Sequence, residues 1–296
     1  MGAVAVGLLA APDAVTAQHP VDGIEWMMEN LRSRGQPVIP IFDGWFNNAD
    51  GTHTFCFGYF SLNLDEVVDI PLGPRNKIEP VEFDGQQPTH FQPVPPPPHD
   101  YRRRFCSFTV IVPADFPKDR DVVWTLEIPG RGGPLSVPGH MVSESYQMEE
   151  IWQASREIYA PVVELEPDGP EALGRAGVTA ERRTVAVGRP LELEIDVSRP
   201  MGNPAAESWP DVERWYAIWD KHTGPGDVTF APEHEPGGWL HVNAEEGETG
   251  VTATATFSDP GDYMLRLEVI GEPGEGGSYQ FHCCWTHMYV PVTVTR

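Results

Sequence analysis

Leu191-Glu192-Leu193-Glu194-Ile195-Asp196-Val197 alternates apolar and acidic residues without interruption. Successive side chains of a strand point to opposite faces, so this stretch reads as a strand with Leu191, Leu193, Ile195 and Val197 buried and its acids in water. Working outward, similar short segments recur between turn-forming clusters. They are Thr184–Val187, Glu213–Trp219, Asp227–Phe230, Val251–Phe257, Tyr263–Val269 and Tyr289–Thr295. The 31 prolines and 29 glycines in 296 residues shorten the elements they separate, which favours many strands over long helices.

Seven short strands after residue 178 are the number expected of an immunoglobulin-like sandwich. A second set lies upstream. Val38, Ile39, Ile41 and Phe42 lead through Gly44-Trp45-Phe46 to Asn47-Asn48-Ala49-Asp50-Gly51, and Thr52 to Phe60 follows. Two apolar runs around an Asp-Gly turn predict a hairpin, with Phe55, Phe57 and Tyr59 on one face and Cys56, Gly58 and Phe60 on the other. Phe105–Val112 and Val122–Ile128 add two strands, and the proline-punctuated stretch 69–99 between the hairpin and these strands reads as a stiff surface loop. The chain is therefore expected to be mainly β: two immunoglobulin-like β-sandwich domains, 37–140 and 178–296, joined by a linker at 141–177. Met148, Ile151, Trp152 and Ile158 recur at helical spacing and predict a short helix in that linker. Ile24, Met27, Met28 and Leu31 predict another in the N-terminal segment 18–36.

The apolar run Ala3–Ala11, followed by Val15-Thr16-Ala17, reads as a signal peptide over 1–17, which implies a secreted or periplasmic protein. The run is shorter than the roughly 20 residues a bilayer needs, and no later segment is long and apolar enough for a transmembrane segment. The formal charge of −24 repels phosphate backbones and excludes nucleic acid as a partner. Hydrophobic residues at 40% suffice for packed cores.

Exported cysteines are usually oxidised, and four of them allow three complete pairings. Cys56 with Cys106 is favoured because both fall in strands beside aromatic core candidates. Cys283 with Cys284 follows as the second bond, although neighbouring Cα atoms about 3.8 Å apart lie below the usual disulfide range and would force a bend. His282-Cys283-Cys284-Trp285-Thr286-His287-Met288 is also dense in soft-metal ligands. His282, Cys284, His287 and Met288, with His241 upstream, could imitate a copper or zinc centre, provided a bend draws them together. In a straight strand positions 282 and 288 would stand roughly 20 Å apart. Otherwise no cofactor is expected.

Catalytic signatures are missing. The chain holds no Gly-x-Ser-x-Gly elbow and no His-Glu-x-x-His helix. Asp115, Asp119 and Asp121 lack the glycine and terminal glutamate of a calcium loop. His90 and Phe91, in Gln87-Pro88-Thr89-His90-Phe91, stand out as a polar–aromatic contact site.

Phe257-Ser258-Asp259-Pro260-Gly261-Asp262-Tyr263-Met264-Leu265-Arg266-Leu267-Glu268-Val269 resembles the penultimate strand of PKD-type and related immunoglobulin-like domains. The resemblance implies that Tyr263 is the tyrosine-corner residue, its hydroxyl bonding back near the turn, and that Trp215 and Trp219 occupy the central core strand. The segment Trp219–Gly226 differs from the usual PKD Trp-to-Gly-Asp-Gly pattern. Across most of its length the chain also resembles a group of uncharacterised secreted bacterial proteins. Gly44-Trp45, Phe57-Gly58-Tyr59-Phe60, Gly224-Pro225-Gly226 and Cys283-Cys284-Trp285-Thr286 are among the residues that carry this. It implies no particular activity. The sequence thus points to a non-catalytic binding or structural module of the cell exterior, with a glycan or an envelope protein as partner, and to metal binding as the alternative.

Overall fold

A computed structural model describes residues 34–93, 103–148, 160–166, 169–198, 214–232, 240–243, 249–271 and 285–296. The expected signal peptide, nearly all of the helix expected in the N-terminal segment, most of the expected linker helix, and His282, Cys283 and Cys284 lie outside the described residues.

The first unit comprises β1 (Val38–Asn47), β2 (His53–Ser61), β3 (Val68–Asp69), β4 (Asn76–Glu79), β5 (His90–Phe91), β6 (Arg103–Val112), β7 (Val122–Leu126) and β8 (Leu135–Gly139). Turn chemistry sets its first hairpin. The Asn48 N–H donates to the Thr52 carbonyl, and Asp50 accepts from the Thr52 N–H. The sheet β1-β2-β6 packs on the sheet β4-β7-β8. Phe55, Phe57 and Tyr59 point into the space between them, as alternation requires, and Phe108 and Trp124 meet edge to face at 4.8 Å. Asn76 is fully buried but satisfied: its amide donates to the Ile70 and Pro88 carbonyls, and its oxygen accepts from Trp124 Nε1. Each of these bonds contributes about 1 kcal/mol, and each carbonyl left unpaired would be penalised.

Cys56 and Cys106 form a disulfide with Cα atoms 4.8 Å apart. Gly58 sits beside it because an added Cβ would collide with the Arg104 carbonyl and the Asp43 carboxylate. Residues 69–93, expected as a surface loop, instead contribute β3, β4 and β5 and bury Ile70, Ile78, Gln87 and Phe91. The prolines fall between these short strands rather than excluding them.

The second unit has two sheets. In one, β10 (Glu171–Leu173), β9 (Val162–Glu166), β13 (Leu191–Ser198), β17 (Gly250–Phe257) and β15 (Val228–Ala231) lie in that order. In the other, β19 (Trp285–Thr295), β18 (Gly261–Gly271), β14 (Arg214–Thr223) and β16 (Leu240–Asn243) follow one another. Here β11 (Val178–Thr179) and β12 (Arg183–Ala186) run parallel to β19. The order β9-β13-β17-β15 facing β14-β18-β19 reproduces the A-B-E-D and C-F-G sheets of an immunoglobulin-like sandwich. Leu193, Ile195, Trp219, Phe257, Leu265 and Val290 fill the space between the sheets.

The Tyr263 hydroxyl donates to the Asp259 carbonyl at 2.9 Å and accepts from the Gly226 N–H at 3.0 Å, so the expected tyrosine corner is formed. Gly224 has φ +146° and lies so close to the Tyr263 ring that a Cβ would collide with it. Val162–Glu166 and Glu171–Leu173, expected in the linker, are instead strands of this sandwich. Val163 and Leu165 are buried on either side of an exposed Glu164, a pattern too short to stand out in a Gly- and Pro-rich stretch.

Candidate functional site

Cross-strand register assembles an unusual surface on the second sandwich. Asp220 pairs with Arg266 and Arg266 with Tyr289; Glu268 pairs with His287; Ile270 pairs with both Tyr216 and Trp285. Their neighbours Leu265, Leu267, Met288 and Val290 point into the core, so these residues share the opposite, outer face of the β14-β18-β19 sheet. Such a face is ordinarily solvated. Here Asp220, Arg266 and His287 are all buried, because the first sandwich lies over them.

The two units are joined by backbone as well as side chains. The Thr89 N–H donates to the His222 carbonyl at 2.9 Å, and His222 Nε2 donates to the Gln86 carbonyl at 2.9 Å. Lys221 Nζ donates to the Gly226 carbonyl and lies 3.3 Å from Asp69 Oδ1. Trp285 packs against Phe105 at 6.2 Å and, with Met148, covers the Cys56–Cys106 disulfide. Nearby, Asp43 accepts from the Cys106 N–H at 2.7 Å and pairs with Arg103. Burial raises Asp43 to about 6 despite those partners.

Arg266 is the hub of the covered face. It pairs with Glu268, and its Nη1 lies 3.6 Å from Asp220 Oδ2. Burial would raise the Glu268 pKa, but Arg266, His287 and Arg104 more than offset it and hold the carboxyl at about 2. Burial lowers both histidines, with Arg266 adding to the effect: His222 falls to about 4, and His287 also lies below its ordinary value. Both imidazoles are therefore neutral at pH 7. For His287, the Nδ1–H donates to the Arg175 carbonyl at 3.1 Å, and Nε2 faces Arg266 and Glu268. Burial also pushes the Tyr289 phenol to about 12.

Where the covered face ends, a cleft of about 380 Å³ opens between the two units. One wall is β6 from Phe108 to Ile111; the other is formed by Ala176, Gly177, Thr179 and Tyr289. Glu82, Phe83, Gln86 and His222 lie along it as well. Backbone groups, hydroxyls, aromatic rings and one carboxylate suit it to recognition of a ligand.

The sequence-expected site residues are placed differently. Phe91 is no contact residue: it is fully buried, edge-on to Tyr59 at 5.1 Å and stacked near Trp124 at 6.3 Å. Its ring belongs to the inward face of β5, which strand alternation dictates. His90 bonds Asp69 at 2.8 Å beside the interface instead. His287 and Met288 do not converge on one ion, since Met288 lies in the core and His287 on the outer face, engaged by protein groups at both nitrogens. Among the described residues, no group of three or more His, Cys, Asp or Glu side chains is arranged to hold a metal.

Reading the sequence missed the covered face and the cleft. The signal was present in the outward positions. On β13 these are Glu192, Glu194 and Asp196, as on a wet face; on β14, β18 and β19 they include Tyr216, Ile218, Ile270, Trp285 and Tyr289.

No protein-family model matches the chain, and no curated protein matches it significantly. Among solved structures it is similar to WR4, a C. elegans MSP family member, at 8% identity over 38% of this chain and 92% of that one, with a TM-score of 0.25. A conjugative transposon lipoprotein from Bacteroides eggerthii DSM 20697 is similar at 11% identity over 47% of this chain and 99% of that one, TM-score 0.27. A chain from the complex of Dpr2 Ig1–Ig2 with DIP-Theta Ig1–Ig3 is similar at 10% identity over 87% of this chain and 99% of that one, TM-score 0.20. The class is a mainly-β protein of sandwich domains, the second immunoglobulin-like, and its strand order rather than these scores carries that assignment. Among the described residues no helix is long and apolar enough to cross a membrane.

Proposed function

We propose that this is a secreted or periplasmic, non-catalytic binding or structural protein whose two sandwiches act as one rigid body and take their ligand in the interdomain cleft. The observation that supports it is the outer β14-β18-β19 face, buried around the ion pairs of Arg266 and ending in that cleft. A face closed in this way fixes the relative position of two walls, which is what a recognition cleft between domains needs. The Cys56–Cys106 disulfide agrees with an oxidising compartment. The PKD-type character of the second domain and a glycan or envelope protein as ligand belong to the same proposal.

The test is retention of purified protein on isolated cell envelopes of the producing organism. Retention is expected, and Thr179→Trp, which fills the cleft from an exposed position, should abolish it without changing the melting temperature. Turnover on a panel of hydrolase and oxidase substrates, lost on a single substitution, would overturn the non-catalytic reading.

A further inference from the structure

Hydrogen-bond direction along β6 can be worked out from the turn at the far side of its sheet. The Asn48 N–H donates to the Thr52 carbonyl, so Thr52 and, two and four residues on, Thr54 and Cys56 direct their backbone groups toward β1. Phe55 and Phe57 then direct theirs toward β6, where they face Val110 and Phe108. Thr109 and Ile111 are left pointing the other way, into the cleft. An independent contact agrees: the Ser107 carbonyl, in the same phase as Thr109, accepts from the Tyr289 hydroxyl of the second unit at 3.4 Å. The outward N–H and C=O groups of Thr109 and Ile111 have no backbone partner among the described residues.

Proteins rarely leave such an edge unguarded, because unpaired backbone groups template the addition of another strand. Several other edges among the described residues are guarded. Gln147 and Met148 cover β1, with the Met148 N–H donating to the Trp45 carbonyl at 2.7 Å. Pro138 interrupts β8, and β10 and β15 are short. In contrast, Phe105-Cys106-Ser107-Phe108-Thr109-Val110-Ile111-Val112 holds no charge and no proline, and the Ile111 side chain is 58% exposed.

We infer that β6 is a docking edge: an extended segment of a basic protein partner adds as a strand along Thr109–Ile111, within the interdomain cleft. This rests on the cleft being the binding site and specifies how it binds. Main-chain bonds to Thr109 and Ile111 give affinity, and alternate partner side chains reach the cleft and the solvent. Charge selects the partner's sign. The chain carries −24, and the turn that follows β6 exposes Asp115, Asp119 and Asp121 against Lys118, since Arg120 is taken up by Glu82 of the cleft at 2.9 Å.

The probe is a capped octapeptide alternating Lys and Val, titrated into the whole protein and followed by amide chemical shifts and calorimetry. Binding with shifts at Thr109, Ile111 and Thr179 is expected. N-methylation of alternate peptide amides removes one bonding edge and should weaken binding about tenfold or more, since each main-chain bond contributes about 1 kcal/mol. Ile111→Pro removes only an outward N–H, leaves the β2 ladder intact, and should weaken binding similarly at an unchanged melting temperature. If that variant does not fold, the N-methylated peptide decides alone. Equal affinity of methylated and unmethylated peptides, with shifts confined to the cleft, would overturn strand addition while leaving the cleft a binding site. No shift anywhere in the cleft would overturn both. Equal binding of a Glu/Val peptide would overturn the basic partner.

Discussion

Arg266→Met tests the covered face where it is most loaded. Arg266 is 4% exposed and neutralises Glu268 directly and Asp220 at 3.6 Å. Its removal leaves two carboxylates beneath the first sandwich with Arg104 and neutral His287 as neighbours. Breaking a buried ion pair from one side destabilises by about 3–5 kcal/mol, against a total stability of about 5–15 kcal/mol. At roughly 2–4 °C per kcal/mol for units of this size, melting should fall by about 6–20 °C. The variant can relieve part of the loss by protonating Glu268, whose pKa rises once Arg266 is gone, so the deficit should be smaller at pH 5 than at pH 8. Arg182→Met is the control, because Arg182 pairs with Asp262 in the open at 3.0 Å and should matter by less than about 1 kcal/mol. Urea unfolding and thermal melting, both followed by tryptophan fluorescence at the two pH values, measure the loss and its pH dependence. A loss for Arg266→Met no larger than that for Arg182→Met would refute the buried network.

Three further outcomes are expected. Replacing Cys56 and Cys106 together by Ser opens a 50-position loop and should lower stability by about 4 kcal/mol on the chain-entropy account, read by urea unfolding. Tyr263→Phe deletes the bond to the Asp259 carbonyl and strands the Gly226 N–H, for a loss of about 1–3 kcal/mol in the same assay. Acid titration should separate two carboxyls of opposite sign. Glu268, held near 2, contributes stability that is present above about 4.5 and lost as pH falls through about 2. Asp43, raised to about 6, contributes stability that is present below about 3.8 and lost as pH rises through about 6. Glu268→Gln should therefore flatten the acid limb below pH 4.5, and Asp43→Asn should flatten the slope between pH 4 and 6.

Strand content was legible because alternation is a local property. Leu191–Val197 and Tyr263–Val269 each show one apolar face in the sequence, and both lie within strands that extend by a residue or more beyond them. The tyrosine corner could be anticipated for a related reason, since Tyr263 and its partner Asp259 are four positions apart. What the sequence withheld depends on long-range docking. Arg266 and Glu268 look like any solvated pair on an outward face, and only the first sandwich lying over them changes their meaning. Phe91 misled in the opposite sense: in a proline-rich stretch its ring looked like a surface contact, yet β3–β5 pairing turns it into the core. The β6 edge was hidden as well, because the direction of a backbone bond is set by register with β2 and not by residue type.

Histidine titration by NMR tests most directly whether the two sandwiches form one body with the β14-β18-β19 face closed between them. His222 lies at that junction, its Nε2 bonded to the Gln86 carbonyl of the other unit, and burial lowers it from about 6.5 to about 4. The His222 ring should stay neutral from pH 8 to below pH 5 and protonate near pH 4, with His287 also titrating below its ordinary range. Protonation of both rings near pH 6.5 in the folded protein would mean that the face is open to water and that the two sandwiches do not form one closed body.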